Sequence, residues 1–290
     1  MRNRRVPRWV SAPVIIGAFG LLVWLERRRP LRRNVEPRLK RESRNLAVAA
    51  TSAFALQFTE RPLIEKLTAL VESRRLGLLQ LMRLPSWLEI TAAVVLMDYT
   101  LYLWHVLTHR LPFLWRFHVA HHVDLDLDAS TALRFHFAEL LLSIPFRAAQ
   151  VLVLGVTPLS FSVWQTFLFL SIMFHHSNVR LPVEVERKLN KLVVTPRMHG
   201  IHHSIVRAEA DSNWSSGLTL WDWLHGTLRL NVPQEEITIG VPAYQNPEEV
   251  ELMRVLAMPF SEQRETWHFP GDGRPVRESV PDASTHRLLA

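Results

Sequence analysis

The sequence predicts an all-α, integral membrane fold with about four to five membrane segments. Two observations favour this fold class. Apolar runs as long as a membrane helix recur along the 290 residues, and histidines recur at helical spacing near the ends of those runs. The net charge is +7, but no basic stretch is interleaved with aromatic residues as in a single-strand binding groove. We therefore expect membrane lipid, and no nucleic acid, as the partner of this basic chain.

The N-terminal apolar runs predict anchor segments. Trp9 to Leu25 has arginines on both flanks and tryptophan near each end, as expected of a first span. The run ends in ERRRPLRR without a small-residue cleavage site, which favours a retained anchor over a signal peptide. The second run, Asn45 to Phe58, is short for a span and could instead lie in the membrane interface.

Two further apolar runs border the histidines. Trp87 to Leu107 is long enough to span, although it contains Glu89 and Asp98. Glu139 to Phe174 predicts a helical hairpin that turns near GVTP, and whose first arm either crosses the bilayer or only dips into it. After Asn178 no stretch is apolar enough to span. The chain is thus divided into anchor segments and a basic loop (1–86), a histidine-rich domain (87–245) and a peripheral tail (246–290).

The basic residues predict the orientation. Segment 27–44 carries nine Lys and Arg residues against four in residues 1–8, which favours a cytoplasmic position for that loop. If the next two segments cross and the hairpin leaves and returns, both histidine-rich blocks lie on the cytoplasmic face. We therefore expect a multi-pass protein with a cytoplasmic site.

The histidines are concentrated and regularly spaced. Twelve of the fourteen lie between residues 105 and 225, and the chain has no cysteine, so any metal must bind nitrogen and oxygen. Their spacings of three and four residues place them on shared helix faces. One HxxxH pair, two HxxHH triplets and two positions at the hairpin edges make up the pattern: His105, His109, His118, His121, His122, His136, His176, His199, His202 and His203.

This pattern favours a metal centre over a set of core histidines. A single HxxxH arises often by chance, but so many neutral imidazoles in one core would each need a hydrogen-bond partner. Imidazole suits zinc, copper, iron and nickel. Ten candidates exceed the four ligands of a structural zinc or the three of a hydrolytic zinc, and no HExxH is present. Two redox irons are chemically plausible, but the spacing alone leaves the metal open.

Six motifs carry a family likeness: DYTLYLWHVLTHR, FHVAHH, RFHFAE, HHSNVRLP, PRMHGIHHS and DSNWSSGLTLWDWLHGTL. Together, over residues 87–245, they resemble the sterol desaturase and fatty acid hydroxylase superfamily of membrane-bound di-iron proteins. The resemblance implies a helical membrane domain with a cytosolic, histidine-rich helical cap that binds two iron ions. It also implies dioxygen as co-substrate in hydroxylation or desaturation of a lipid C–H bond.

The resemblance implies as ligands all ten histidines of the pattern. His136 matches an R-x-H position, although Phe137 stands where proline is common. Of the adjacent pair, His176 fits the family's H-x-N and His175 is a spare or supporting residue. His225 stands where the family usually has phenylalanine and is not expected to be a ligand.

Two carboxylates are predicted to support the ligands, and for Asp98, which is costly in an apolar run unless paired, a contact between helices is the other expectation. Metal-bound histidines usually donate their other N–H to a carboxylate or carbonyl. Asp98 lies seven residues before His105 on the same helix face, and Glu139 lies three after His136. Asp211, Asn213 and Asp222 could buttress the last box, but polar loop residues are usually just solvated. A run of three aspartates is expected to cap helices in a loop and not to bind metal: Asp124, Asp126 and Asp128.

The expected partners are a membrane lipid substrate and a separate electron donor, either a reductase or a small redox carrier. No glycine-rich dinucleotide motif, haem motif or cysteine cluster is visible that could supply electrons from within the chain. Two alternatives stay open: a non-enzymatic membrane metal-binding or transport protein, and a membrane zinc hydrolase. A transporter should hold its ligands near the bilayer midplane, whereas these histidines lie at the ends of the spans.

Overall fold

The fold is all-α, as predicted. The computed structural model describes Val6, residues 8–271 and residues 273–277; the end of the predicted tail (278–290), with His286, lies outside the described residues. Within the described residues there are helices, short 3-10 turns and isolated β-bridges but no strand. Six helices are long: α1 (Arg8–Arg28), α2 (Arg38–Phe58), α3 (Glu60–Arg74), α5 (Ser86–Arg110), α7 (Phe137–Leu154) and α8 (Pro158–His176).

Shorter helices connect and cover the long ones. The described short helices are α4 (Leu78–Leu81), α6 (Pro112–His122), α9 (Val183–Leu189), α10 (Pro196–His202), α11 (Arg207–Ala210), α12 (Leu220–Leu224) and α13 (Leu252–Ala257). Proline occupies the first position of α6 and α10, where its missing N–H costs nothing because that group has no partner within the helix.

Three of the described helices are long and apolar enough to cross a membrane: Trp9–Arg28, Ser86–Arg110 and Phe137–Leu154. They correspond to the first predicted span, the third run and the first arm of the hairpin. Helix α8 is 19 residues long, but its serines, Gln165 and terminal histidines lower its mean hydropathy. Helix α2 starts at Arg38, and charged residues are concentrated in its first two turns, which lowers its mean hydropathy. The count of four to five segments therefore stays a prediction.

The hairpin of α7 and α8 turns at GVTP, as the sequence predicts. Gly155 takes the left-handed conformation (φ 79°) that ends α7. The Thr157 hydroxyl then accepts a hydrogen bond from Ser160 N, and Pro158 opens α8. Because the two arms run in opposite directions, the start of α7 and the histidine end of α8 lie on the same side of the fold. Helix α5 packs on α8, and α2 and α3 pack on α7.

Part of the predicted tail is built into the core. Val250 and Val255 are fully buried in one cluster with Val119 and Val123 of the α6 region. The indole N–H of Trp115 on α6 also donates to the Thr266 hydroxyl (3.2 Å). The segment around α13 therefore covers the outer face of the histidine-bearing helix α6.

A buried ion network joins α2 to the loop after α6. Asp124 lies 2.8 Å from Arg41 Nη1, 3.4 Å from Arg44 Nη2 and 3.5 Å from Arg134 Nη1, and all four side chains are nearly or fully buried. Asp126 does not cap a helix as expected: it accepts the N–H groups of Val35 and Glu36, which lie in the loop before α2. Asp128 caps Ser130 N and also pairs with Arg41. Asp124 is instead the centre of an ion cluster.

The surrounding charges hold Asp124 ionised. Burial alone would raise the pKa of its carboxyl, but the Arg41, Arg134 and Arg44 guanidinium groups outweigh burial and lower this pKa from 3.8 to about 2. Since the folded-state pKa lies below the unfolded one, this carboxylate stabilises the fold above pH 4. That stabilisation is lost as the pH falls toward 2.

We expect Asp124→Asn to destabilise the protein by about 3–5 kcal/mol, because it leaves buried arginines without their central partner. Thermal unfolding in detergent at neutral pH measures the loss. Between pH 4 and 2 the variant should lose less stability than the wild type. The exposed substitution Glu248→Gln serves as control, and equal unfolding temperatures for both variants would contradict the assignment.

Candidate metal centre

The first histidines are delivered by the consecutive helices α5 and α6. His105 and His109 lie one turn apart near the end of α5. Leu111 then takes an extended conformation (φ −97°, ψ 115°), and Pro112 starts α6, so the chain turns sharply between the two helices. The ring centroids of His109 and His118 are consequently only 5.1 Å apart.

Histidines from four helices converge in two groups, all of them buried except His105 and His109, which are half-buried. In each group the ligand atoms lie within 4.8 Å of one another. The first histidine group comprises His105, His109, His118, His122 and His202. The second histidine group comprises His121, His176, His199 and His203. The two HxxHH triplets are split between the groups, since the neighbours in each HH pair point to different sides of their helix end.

In the first histidine group, backbone carbonyls hold one ring nitrogen of His105 and one of His202. His105 Nδ1 lies 2.7 Å from the Trp214 carbonyl oxygen, and His202 Nδ1 lies 2.8 Å from that of Ser212. A carbonyl oxygen can only accept, so each Nδ1 carries the proton and each Nε2 keeps a lone pair. The Nε2 atoms of three members are buried without a hydrogen-bond partner: His118, His122 and His202.

In the second histidine group the Nε2 atoms meet each other. His176 Nε2 lies 3.1 Å from both His121 Nε2 and His199 Nε2. His203 Nε2 lies 3.2 Å from His199 Nε2. A ring nitrogen either donates or accepts, so His199 Nε2 cannot serve both of its contacts. A cation that accepts all four lone pairs removes this conflict, and the donor set therefore fits a metal ion.

Burial keeps the imidazoles neutral. Desolvation lowers the pKa of His202 to about 3; the hydrogen bond to Ser212 O raises this pKa by less, and the imidazoles of His118 and His176 lower it. The pKa values of His121, His122, His199 and His203 lie well below the usual value, first because of burial and then because of other histidines. Neutral imidazole is the form that binds metal, so these histidines need lose no proton to bind a metal ion at neutral pH.

Glu139 contacts a histidine of the first histidine group. Its Oε1 accepts a hydrogen bond from His118 Nδ1 at 2.7 Å, and both side chains are buried. Asp98 does not contact a histidine through its hydrogen bonds. Its Oδ2 accepts from Leu218 N (2.9 Å) and the Trp221 indole N–H (2.7 Å), so it fastens α5 to the segment that leads into α12.

His136 does not lie in either group. Its Nδ1 accepts from Ala138 N at 3.1 Å and so caps α7, while its Nε2 lies 3.1 Å from the Leu256 carbonyl oxygen. With both ring nitrogens bonded elsewhere, it has no lone pair to offer a metal, and we remove it from the predicted ligands. His175 also lies outside the groups, packed against His199 with centroids 4.0 Å apart. His176 is thus the better placed of the adjacent pair.

The segment from Ser212 to Trp214 supports His105 on α5 and His202 on α10 through its carbonyls. The sequence offers such a buttress as an alternative to simple solvation. Asn213 is fully buried, and its backbone lies in the left-handed region (φ 54°). Its side-chain Nδ2 donates hydrogen bonds to Met198 O (2.9 Å) and Arg229 O (2.8 Å). Asp222 is also fully buried, and it accepts the N–H groups of Trp214 and Ser215 at 2.9 Å each. The sequence signal for this support is the DSNW motif, in which polar residues follow the last histidine box closely.

Aromatic rings shield the histidines. Phe135 stacks on His121 with centroids 4.3 Å apart and planes 9° apart. Trp115 packs against His109 at 4.9 Å, and Trp267 stacks on Trp115 at 5.4 Å. These faces keep water away from part of the site, which strengthens every electrostatic interaction within it.

We expect Glu139→Ala to weaken metal binding by about 10–100-fold, the usual effect of removing a group that orients a ligand. Glu139→Gln keeps an acceptor for His118 Nδ1 and should lose less. Titration of the metal-free protein with Co²⁺, followed by absorption, measures both. The exposed Glu184→Gln is the control, and unchanged affinity in Glu139→Ala would rule out this support.

Known proteins resemble the histidine-bearing part of the chain. The fatty acid hydroxylase family model matches residues 90–227. An ornithine lipid hydroxylase of Rhizobium tropici is 33% identical over 160 residues, which cover 54% of this chain and 46% of that protein. Human alkylglycerol monooxygenase is 28% identical over 50% of this chain and 31% of its own length. Mouse cholesterol 25-hydroxylase is 29% identical over 49% and 47%.

The chain spans less than half the length of each of these three relatives. No solved structure gives a significant match. The family match contains every histidine of both groups, together with Glu139, Asn213 and Asp222. The family model and these relatives support the resemblance of residues 90–227 to the sterol desaturase and fatty acid hydroxylase superfamily.

Proposed function

We propose that this protein is a multi-pass membrane oxidoreductase that uses two iron ions and dioxygen to hydroxylate or desaturate a lipid C–H bond. The convergence of the two histidine groups carries this proposal. The relatives named as lipid hydroxylases and monooxygenases support iron over zinc, since imidazole alone suits either metal. Transport is less well supported, because the groups lie beside helix ends and not at mid-helix.

The first histidine group would hold one iron and the second histidine group the other. Bound there, iron supplies the electron-transfer chemistry that activates dioxygen. The chain's own contribution is orientation: Glu139 and the carbonyls of Ser212 and Trp214 fix the ring tautomers, so the Nε2 lone pairs face inward. Phe135 and Trp115 exclude water on the protein side of the groups.

The substrate would approach from the apolar helices. His105 and His109 lie near the end of the candidate span Ser86–Arg110, and Glu139 lies in the first turn of Phe137–Leu154. A lipid lying along α5 and α7 would therefore reach the histidines at the boundary of the membrane. The basic loop after α1 supports a cytoplasmic position for this boundary.

The reaction requires an external electron source. When one oxygen atom enters a C–H bond and the other leaves as water, the reaction consumes two electrons and two protons. The chain has no cysteine to hold an iron–sulfur cluster or a redox disulfide. We therefore propose a separate reductase or small redox carrier as partner.

We expect His121→Ala and His202→Ala each to abolish turnover, and each to remove metal chiefly from its own group. The protein is purified in detergent or nanodiscs, iron and zinc per chain are counted, and oxygen uptake is followed with a lipid extract and a reductant. His268→Ala, a histidine outside both groups, is the matched control. Tightly bound zinc with turnover in the absence of oxygen would instead favour a hydrolase, and full activity in either variant would refute the site.

Lipid profiling distinguishes the two oxidations. Cells with the gene should contain a lipid that is heavier by one oxygen atom for hydroxylation, or lighter by two hydrogens for desaturation, than in cells without it. A catalytically dead His202→Ala gene is the control. An identical lipid profile in all three strains would speak against a lipid substrate.

A further inference from the structure

The end of α1 and the residues that follow it contact the histidine-bearing segments, although they lie before the family match that begins at residue 90. Glu26 is 2% exposed, and its Oε1 accepts hydrogen bonds from Ala129 N and Asn178 N, both at 2.8 Å. Ala129 lies in the loop that follows α6. Asn178 comes two residues after His176. One carboxylate oxygen therefore ties together the chain segments that leave two histidine helices.

Arg32 extends this connection to a third histidine helix. Its backbone N–H donates to Asn178 Oδ1 (2.8 Å), and its carbonyl accepts from Asn178 Nδ2 (3.0 Å). Its guanidinium donates to the carbonyl of Pro196, the first residue of α10, at 2.9 Å and to Gln234 Oε1 at 2.5 Å. Gln234 Nε2 in turn donates to the Arg197 carbonyl at 3.2 Å. Arg32 thus bridges the end of α8 and the start of α10.

The guanidinium also lies directly on the backbone of α10. A Cβ added to Gly200 would overlap Arg32 Nη2 and lie only 2.5 Å from Arg32 Cζ. Gly200 stands between His199 and Ile201, in the turn that carries the histidines. A side chain at position 200 would therefore displace the guanidinium, because the arginine occupies that space. Arg32 and Gly200 therefore form one packing unit.

We propose that Arg32 is a positioning residue for the second histidine group. This inference rests on the proposed metal centre. His176 comes from α8, whereas His199 and His203 come from α10 and its cap, so their separation depends on how these two helices are held. Arg32 holds them through Asn178 on one side and through Pro196 and Gly200 on the other.

The first histidine group depends much less on Arg32. Four of its members lie on α5 and α6, which Arg32 does not contact through its hydrogen bonds. Its one member on α10, His202, is held independently by the Ser212 carbonyl. Loss of Arg32 should therefore weaken one of the two metal sites, whereas general destabilisation would weaken both.

The test uses the full chain in nanodiscs and Co²⁺ titration followed by absorption and by metal per chain. Wild type is expected to bind two equivalents. Arg32→Ala should keep one and bind the other about 10–100-fold more weakly. Arg32→Lys, which keeps a positive charge and a donor on a long side chain, should recover part of the loss. Arg33→Ala, an exposed neighbour of equal charge, should match wild type.

A double-mutant cycle tests the contact itself. Gly200→Ala should displace the guanidinium and cause the same loss as Arg32→Ala, and the double variant should lose no more than either one. Additive losses would overturn the packing unit. Equal weakening of both equivalents in Arg32→Ala would overturn the positioning role.

Amide hydrogen exchange of the metal-free protein separates this inference from the proposed function. Arg32→Ala should speed exchange at His199 and His203 N–H, which are bonded within α10, more than at α5 and α6 amides. If wild type bound fewer than two ions, the proposed function would fail while this readout still decided the role of Arg32. Unchanged exchange in α10 would refute that role.

Discussion

A buried neutral imidazole has one donor and one acceptor nitrogen, and leaving either without a partner costs free energy. This chain buries two whole groups of imidazoles in close contact, and the structure around them follows from that constraint. Where a carbonyl or carboxylate takes the N–H, as at His105, His118 and His202, the opposite nitrogen is directed into the group. A cation in each group would accept these lone pairs together, which is why the donor set fits metal ions.

The supporting atoms are mostly backbone atoms. Carbonyl oxygens of Ser212 and Trp214 do not titrate, so they hold the rings in one tautomer at any pH at which the fold is stable. Their own position depends on two buried polar side chains, Asn213 and Asp222. Asn213 also takes a left-handed conformation, which asparagine tolerates better than most residues. A short polar loop is therefore as important to the site as the helices that carry the histidines.

Charge is used differently on the two sides of the fold. The long helices α5 and α7 next to the histidines are apolar. The loop after α6 is instead fixed to α2 through the buried cluster of Asp124 with Arg41, Arg44 and Arg134. Arg41 also pairs with Asp128 and Arg44 with Glu36, whereas Arg134 donates to the Ala120 carbonyl. The basic composition that predicted a membrane surface thus also serves the interior.

Local periodicity in the sequence determined the helices, the turn at GVTP, and which histidines share a face, because helical spacing depends only on near neighbours. The motifs carried the family likeness and identified every histidine in the two groups. The tertiary structure decided how those histidines divide, that His136 caps α7, and that Glu139 meets His118 while Asp98 turns to Trp221. It also decided that Arg32, 164 residues from Pro196, supports α10. Such contacts join residues far apart in the chain, and no local pattern records which helix ends will meet.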